Sequence, residues 1–316
     1  MIAFGPVPSR RLGRSLGINN IPSKMCSYSC VYCQVGRTHN LHVERLDLFK
    51  PERIVKEVYI KIKKAQQMGE TIDYITFVPN GEPTLDVNLG PTIDMLKPLG
   101  IKIAIITNGF LIWREDIRKI LLKTDWISFK MDSIIEQIWH KVNRPHKCMQ
   151  LNPILEGLLE FKKNYHGQLI TETMLIKGIN DGDHNLEAVA EYLFQLKPDK
   201  AYLSIPTRPP AEHWVFPPDE EVINKAYQIF SKPVDHVEYL IGYEGNTFTY
   251  TGSIKEDLLS ITSVHPMRED AVKDFLQKAS ADWSVINKLI SKDQLIETDY
   301  EGRKYFMRRI PEKLVI

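Results

Sequence analysis

Short runs of β-branched and aromatic residues alternate with helix-like stretches along most of the chain, and this alternation constrains the fold more than any other feature. The predicted strands are 17–21, 72–78, 101–107, 126–131, 169–176 and 201–205. The predicted helices between them are 51–68, 117–123, 152–163 and 185–196. Strands that alternate with helices of this length indicate βαβ units and a parallel sheet in an α/β protein. About six repeats suit a partial or complete barrel, although periodicity alone does not exclude a doubly wound open sheet.

The alternation of predicted strands and helices ends near residue 250. Two short helices are predicted at 268–278 and 283–291, and two strands follow at 295–298 and 304–308. Two helices and a hairpin resemble a winged-helix domain, so we expect a barrel domain over 1–250 and a winged-helix-like domain over 251–316. The hairpin is the basic part of this second region, with Arg303, Lys304, Arg308 and Arg309.

Composition and net charge indicate the compartment of the protein and exclude some classes of partner. The 316 residues carry a formal net charge of +1, which gives no broad electrostatic field for nucleic acid. The N-terminus lacks a basic region and the apolar run of a signal peptide, and no segment approaches the roughly 20 apolar residues of a membrane span. We therefore expect a cytoplasmic protein without a membrane partner, in which the four cysteines stay reduced.

Three of the four cysteines lie within eight residues, as Cys26, Cys30 and Cys33 in the spacing C-x3-C-x2-C. Cysteines packed so closely in a reducing compartment are typical metal ligands. Three thiolates can hold a 4Fe-4S cluster and leave its fourth iron without a protein ligand, as a catalytic centre requires. The alternative is a zinc site or a purely structural cluster, for which His39 or His42 could supply a fourth ligand.

The spacing C-x3-C-x-aromatic-C, with Tyr32 as the aromatic residue, resembles the signature of the radical S-adenosylmethionine (SAM) superfamily. The resemblance implies a partial (βα)6 TIM-like barrel with two cofactors, a 4Fe-4S cluster and SAM. It further implies that one electron, from a donor such as reduced flavodoxin or ferredoxin, cleaves SAM to a 5'-deoxyadenosyl radical that abstracts hydrogen from a substrate. The reaction type, whether oxidoreductase, transferase or lyase, stays open.

Two segments that follow predicted strands resemble SAM-binding segments of this superfamily. After strand 72–78 comes the run Asn80, Gly81, Glu82 and Pro83, which is similar to the segment that binds the methionyl ammonium, with an asparagine where a glycine is common. After the next strand come Thr107 and Asn108, which resemble a segment whose side chains face SAM. The alternatives are an ordinary Gly-Glu-Pro turn and an ordinary Asn-Gly turn.

Four further polar residues are candidates for catalysis or substrate contact. Lys130 and Asp132 have the same parity, so both side chains lie on one face if the strand continues through them. An unpaired buried Lys or Asp is costly, so they either pair with one another or contact a ligand. Lys177 and Arg208 follow the fifth and sixth strands, in segments that resemble the adenine and substrate sides of the same barrel.

The segments 5–17, 81–85 and 206–212 resemble a branch of iron-sulfur oxidoreductases that is related to the tRNA wyosine-base synthases. Those synthases carry a second cluster on three cysteines upstream of the triad, whereas no cysteine precedes Cys26 here. The remaining cysteine, Cys148, cannot hold a second cluster alone. Wyosine synthesis is therefore not expected.

Three functions remain open. The first is a radical SAM enzyme acting on RNA, peptide or protein, which the winged helix would deliver to the barrel. The second is the same chemistry on a small molecule, with the winged helix in a structural role. The third is an iron-sulfur DNA-binding regulator, which would not need an open iron or the polar segments after the strands.

Overall fold

The computed structural model describes residues 2–242 and 245–309. One sheet of eight strands forms the framework of the larger part of the chain, and the strands follow one another in chain order from β1 to β8. β1 and β2 are antiparallel, and every later pair is parallel. The strands are β1 (Ala3–Ser9), β2 (Gly13–Ile18), β3 (Tyr74–Phe77), β4 (Lys102–Thr107), β5 (Trp126–Lys130), β6 (Gln168–Met174), β7 (Lys200–Ser204) and β8 (Val237–Leu240).

Helices connect the parallel strands and cover one face of the sheet. The first begins with a proline at its first turn, where the missing N–H costs no hydrogen bond. Its apolar residues Ile54, Val58 and Ile62 recur at helical spacing and are buried against the sheet. The helices are α1 (Pro51–Gln67), α2 (Leu89–Leu96), α3 (Glu115–Leu121), α4 (Glu136–Asn143), α5 (Leu151–Asn164), α6 (Asp183–Leu196) and α7 (Glu220–Phe230).

The predicted parallel α/β sheet is confirmed, but the count of six strands is wrong because the sheet has two more. The sequence of β1 contains Gly5, Pro6 and Pro8, which argue against a strand in isolation. β1 is an edge strand, where proline is tolerated because no neighbour needs its missing N–H. β8 is only four residues long and lies at the opposite end of the strand order. The order from β1 to β8 has two ends, as in a partial barrel.

The face of the sheet opposite the helices carries a small apolar layer of its own. It consists of one residue from each of β4 to β8, together with Leu12 from the turn between β1 and β2: Ala104, Trp126, Ile170, Tyr202 and Leu240. Because side chains alternate along a strand, Lys130, Glu172 and Ser204 lie on this same face, farther toward the carboxyl ends. The layer therefore closes one end of the interior and leaves the polar end for a site.

The C-terminal part forms a second unit with its own apolar cluster, which includes Phe248, Leu258, Phe275 and Phe306. The two predicted helices and the hairpin are present, together with an additional helix and a two-residue strand that were not predicted. The elements are α8 (Ile254–Val264), β9 (Met267–Arg268), α9 (Glu269–Lys278), α10 (Ser284–Ser291), β10 (Leu295–Tyr300) and β11 (Arg303–Arg308), with the antiparallel strand order β10-β11-β9. The predicted end of this unit at residue 316 lies outside the described residues.

The hairpin of the second unit contacts the segment that follows β7. The hydroxyl of Tyr300 donates to the carbonyl of Pro206, and that of Tyr305 donates to the carbonyl of Thr207, both at 3.1 Å. The hairpin thus supports the segment that follows β7, through Pro206 and Thr207. Among residues 2–242 and 245–309, no helix combines the length and the apolar character needed to cross a membrane.

Candidate active site

A cavity of about 270 Å³ opens at the carboxyl ends of the parallel strands. Its wall combines the cysteine segment, the segments after β3 and β4, and polar side chains of β5, β6 and β7. Barrel enzymes assemble their sites at this end, because the loops after several strands converge there. The cavity is therefore the candidate active site.

The three closely spaced cysteines all line this cavity, whereas Cys148 is exposed and does not. Their segment has neither helix nor strand, so tertiary contacts must fix its course. The N–H of Val31 donates to the carbonyl of Val142 at 2.9 Å, and the N–H of Ser29 donates to that of Asn143 at 3.1 Å. The C-terminal end of α4 thus holds the cysteine segment in place.

The surroundings of the sulfur atoms suit a bound metal cluster. Burial, with the charge of Asp132 as the next cause, raises the pKa of the Cys30 thiol to about 12, and burial raises that of Cys26 as well. A bound metal cation would stabilise the thiolates in these surroundings. Amide donors already face two of the sulfurs: Asn143 Nδ2 lies 3.4 Å from Cys30 Sγ, and Asn108 Nδ2 lies 3.7 Å from Cys26 Sγ. Such donors favour a negatively charged sulfur, so the residues fit an iron-sulfur cluster.

The glycine of the Gly-Glu-Pro segment is required by a close backbone approach. A Cβ atom at Gly81 would lie 2.0 Å from the carbonyl oxygen of Met25, the residue before the first cysteine. Two backbone hydrogen bonds flank this contact, from Lys24 N–H to the Asn80 carbonyl at 2.8 Å and from Glu82 N–H to the Met25 carbonyl at 2.9 Å. The segment after β3 is therefore locked to the cysteine segment, which an isolated turn would not need.

Glu82 connects the segments after β3 and β4. Its side chain is buried, and its Oε1 accepts from the Thr84 N–H at 3.0 Å and from the hydroxyls of Thr84 and Thr107, each at 2.6 Å. Its Oε2 accepts from the N–H of Asn108 at 2.8 Å. Burial raises the pKa of Glu82, although these hydrogen bonds oppose the shift. The structure thus brings the predicted SAM-binding residues Glu82, Thr107 and Asn108 into one network.

Asp132 lies beneath the cysteine segment, in contact with Tyr32. The Tyr32 hydroxyl and Asn143 Nδ2 both donate to Asp132 Oδ2, the amide at 2.7 Å, and the N–H of Met174 donates to Oδ1 at 2.8 Å. Asp132 is only 2 % exposed, and burial raises its pKa. Both oxygens of Asp132 accept hydrogen bonds from these groups, so its carboxylate is suited to position Tyr32 and Asn143.

Lys130 does not pair with Asp132. Its ammonium lies 2.5 Å from Glu172 Oε1, on the neighbouring strand, and 5.5 Å from the centroid of the Tyr32 ring. Burial would raise the pKa of Glu172, but the charges of Lys130 and Arg11 lower it to about 2. Glu172 was not among the predicted site residues, although a glutamate inside the apolar run 169–176 was a signal for it.

The last two predicted residues have different positions. Arg208 lines the cavity, and its guanidinium is 2.7 Å from Gln34 Oε1 and 3.1 Å from His265 Nε2 of the C-terminal unit. Lys177 does not line the cavity; it is exposed, and its ammonium pairs with Asp219 at 2.7 Å. The structure therefore does not bring Lys177 to this site.

The histidines that could have completed a zinc site do not line the cavity either. His39 is exposed and His42 half-buried, and the backbone N–H of His42 donates to the Cys26 carbonyl at 2.9 Å. Within the described residues, no group of three or more His, Cys, Asp or Glu side chains has the arrangement of a site for a single metal ion.

The open parallel sheet, with three cysteines at the carboxyl ends of its strands, defines an α/β protein with a candidate metal centre. Residues 20–192 match the family described as the Radical SAM superfamily, and the chain belongs to that superfamily. This confirms the resemblance of the cysteine motif. Membership supports a SAM-cleaving radical enzyme and implies a 4Fe-4S cluster and SAM, for which Cys26, Cys30 and Cys33 fit as cluster ligands.

The chain is also similar to curated relatives and to solved structures. A UPF0026 protein of Methanocaldococcus jannaschii is 49 % identical over 99 % of this chain and 97 % of its own length. A radical SAM methyltransferase from Sphaerobacter thermophilus has a TM-score of 0.57 at 17 % identity, with coverage of 72 % of this chain and 66 % of that one. TYW1 with a lysine-pyruvate adduct has a TM-score of 0.51 at 16 % identity, with coverage of 70 % and 74 %. At 17 % and 16 % identity, both likenesses show the fold alone.

Proposed function

We propose that this protein is a radical SAM enzyme in which Cys26, Cys30 and Cys33 hold a 4Fe-4S cluster and a small molecule is the substrate. The observation that carries the proposal is the junction of the cysteine segment with the Gly-Glu-Pro segment, where Gly81 packs against the Met25 carbonyl. When bound, the cluster and SAM supply a 5'-deoxyadenosyl radical that abstracts a hydrogen atom from the substrate. The protein supplies placement and exclusion of water.

Different residues of the chain contribute to these roles. Asn80, Gly81, Glu82 and Pro83 form the cradle for the SAM methionyl group, and Glu82 fixes the positions of Thr107 and Asn108. Tyr32 and Asn143 are held by Asp132 against the cysteine segment. Lys130 and Arg208 line the remaining wall of the cavity and contact the substrate.

A small molecule is favoured over RNA, peptide or protein because most cations of the basic hairpin are already engaged within the protein. Three of its four cations already have partners: Lys304 pairs with Glu297, Arg309 pairs with Asp293, and Arg308 donates to the Leu259 carbonyl. Helix α10, which has the position of a recognition helix if this unit is a winged helix, carries a single cation, Lys288. We therefore assign the unit over 251–316 a structural role as a winged-helix-like support.

We further propose that reduced flavodoxin or ferredoxin supplies the electron in the cytoplasm, a reducing compartment that suits free cysteines. Two exposed guanidinium groups, Arg37 and Arg144, share the buried carboxylate of Glu212 beside the cysteine segment. Two cations against one carboxylate leave a net positive charge there, which favours an acidic redox partner.

The proposed function is tested by anaerobic reconstitution with iron and sulfide, reduction with dithionite, addition of SAM and assay of 5'-deoxyadenosine. We expect product from the wild type and from Cys148→Ala, whose cysteine lies outside the cavity, and none from Cys30→Ala. A wild-type protein that binds zinc and assembles no cluster would overturn the proposal. Product formation that persists in Cys30→Ala would overturn the assignment of the cysteines.

A further inference from the structure

A compact charged group made of Arg11, Lys130 and Glu172 lies in the wall of the cavity. Lys130 and Glu172 are register partners on β5 and β6, and Lys130 Nζ is 2.5 Å from Glu172 Oε1. Arg11 reaches the other oxygen, Oε2, from the turn that joins β1 and β2. Three distant parts of the sequence therefore meet at one carboxylate inside the barrel.

Most hydrogen-bond donors of the two cations are unused. An arginine carries five N–H donors and a protonated lysine three, and the structure gives Arg11 and Lys130 one hydrogen bond each, both to Glu172. Their side chains are 17 % and 21 % exposed, and both line the cavity. The remaining donors thus have access to a ligand in the cavity.

The two cations share one carboxylate of the cavity wall, Glu172, which is only 6 % exposed. Burial raises the pKa of Asp132 and the charge of Lys130 opposes that shift, but the Asp132 carboxylate accepts its hydrogen bonds from Tyr32, Asn143 and the Met174 N–H. The other carboxylate of the cavity wall, Glu82, is engaged by hydroxyls and backbone N–H groups of Thr84, Thr107 and Asn108 and does not contact this pair. Two partly buried cations with unused donors favour a bound anion, because its oxygens would accept those hydrogen bonds away from bulk water.

We propose that Arg11 and Lys130 form an anion subsite that binds the carboxylate or phosphate group of the small substrate. The inference rests on the proposed function and adds the chemical class of the substrate. The planar guanidinium of Arg11 matches two oxygens of either group, and the Lys130 ammonium adds a point charge. Glu172 holds both cations in place, because each already donates to one of its oxygens.

The test measures anion binding by isothermal titration calorimetry on reconstituted protein saturated with SAM. The probes are succinate, inorganic phosphate and, as the neutral control, succinamide. We expect succinate or phosphate, but not succinamide, to bind the wild type, and the preferred anion identifies the substrate group. Arg11→Gln should weaken that binding about tenfold or more, because it removes charge-assisted hydrogen bonds. The control Arg53→Gln, on the exposed face of α1, should leave it unchanged.

A second titration separates this subsite from the SAM site. SAM affinity should be equal in the wild type and Arg11→Gln; if Arg11→Gln weakens SAM instead of the anion, the cation pair serves the SAM carboxylate and the proposal is wrong. Absence of succinate and phosphate binding to the wild type would also overturn it. Lys130→Gln provides an independent variant if Arg11→Gln does not fold. Because binding is measured without turnover, failure of SAM cleavage would count against the proposed function alone.

Discussion

The ammonium of Lys61 on α1 lies 2.8 Å from Oδ1 of Asp257 on α8, and the two side chains are 10 % and 3 % exposed. Thr251 completes the contact, since its N–H donates to Asp257 Oδ2 at 2.7 Å and its hydroxyl accepts from Lys61 at 2.7 Å. A buried ion pair with satisfied hydrogen bonds thus joins the barrel to the C-terminal unit. Such a pair fixes one arrangement of two parts, because removal of either partner leaves a buried charge.

Replacement of one partner should destabilise the protein strongly. We expect Lys61→Met to lower the free energy of unfolding by about 3–5 kcal/mol, because Asp257 is then buried without a counterion. Urea unfolding followed by circular dichroism measures this change, with the exposed Lys56→Met on the same helix as the control. The double variant Lys61→Met/Asp257→Leu should recover part of the loss, because the buried charge is removed but Thr251 loses the acceptor of its N–H and hydroxyl. A single variant as stable as the wild type would mean that the pair has no role in joining the units.

Gly81→Ala should disrupt the packing of the Gly-Glu-Pro segment against the cysteine segment. Its Cβ would lie 2.0 Å from the Met25 carbonyl oxygen, so the Gly-Glu-Pro segment must move away from the cysteine segment. Overpacking costs about 1–3 kcal/mol, and we expect SAM affinity of the reconstituted protein to fall roughly tenfold or more. Equilibrium dialysis with labelled SAM measures the effect. Gly182→Ala is the matched control, because a Cβ there would meet nothing within 4 Å and the φ of Gly182 is −79°. Equal SAM affinity in both variants would contradict the role given to Gly81.

Strands β3 to β7 were predictable because each is an apolar run bounded by turn residues, whereas β8, with only four residues, was not predicted. The same runs predicted which segments meet at the carboxyl edge, and Thr107, Asn108 and Glu82 do meet there. β1 was not predicted, because its prolines are compatible with a strand only at the edge of a sheet. Local sequence does not tell which strand is the edge.

Side-chain partners across strands were not predictable in the same way. Lys130 and Asp132 have the same parity, yet β5 ends at Lys130 and only Lys130 keeps its strand register with Glu172. Asp132 lies beyond the strand and faces Tyr32 and Asn143 instead. These pairs depend on the register of β5 against β6 and on how α4 packs on the cysteine segment. Both are properties of the tertiary structure.

The stability that Glu172 contributes should be lost only at low pH. The charges of Lys130 and Arg11 outweigh burial and lower the pKa of Glu172 from 4.5 to about 2. A depressed carboxyl pKa contributes stability that is present above the unfolded value and disappears as pH falls through the folded one. At pH 7 we expect Glu172→Gln to lower the free energy of unfolding by about 3 kcal/mol. The difference in the free energy of unfolding between the wild type and the variant should shrink from about pH 4.5 toward pH 2, as measured by urea titrations. A difference that does not depend on pH would contradict the role given to the charge of Glu172.

Asn143 should tune the reduction potential of the cluster. Its amide lies 3.4 Å from Cys30 Sγ and is oriented by Asp132, and a donor to a ligating sulfur stabilises the more negative, reduced state. Asn143→Ala should therefore shift the potential to more negative values, on the order of 50 mV, which corresponds to about 1 kcal/mol for one electron. A redox titration monitored by electron paramagnetic resonance measures this shift, with the exposed Asn287→Ala as the control. A purely structural role would lower the amount of cluster incorporated but leave its potential unchanged, and that result would remove Asn143 from the electronic environment of the cluster.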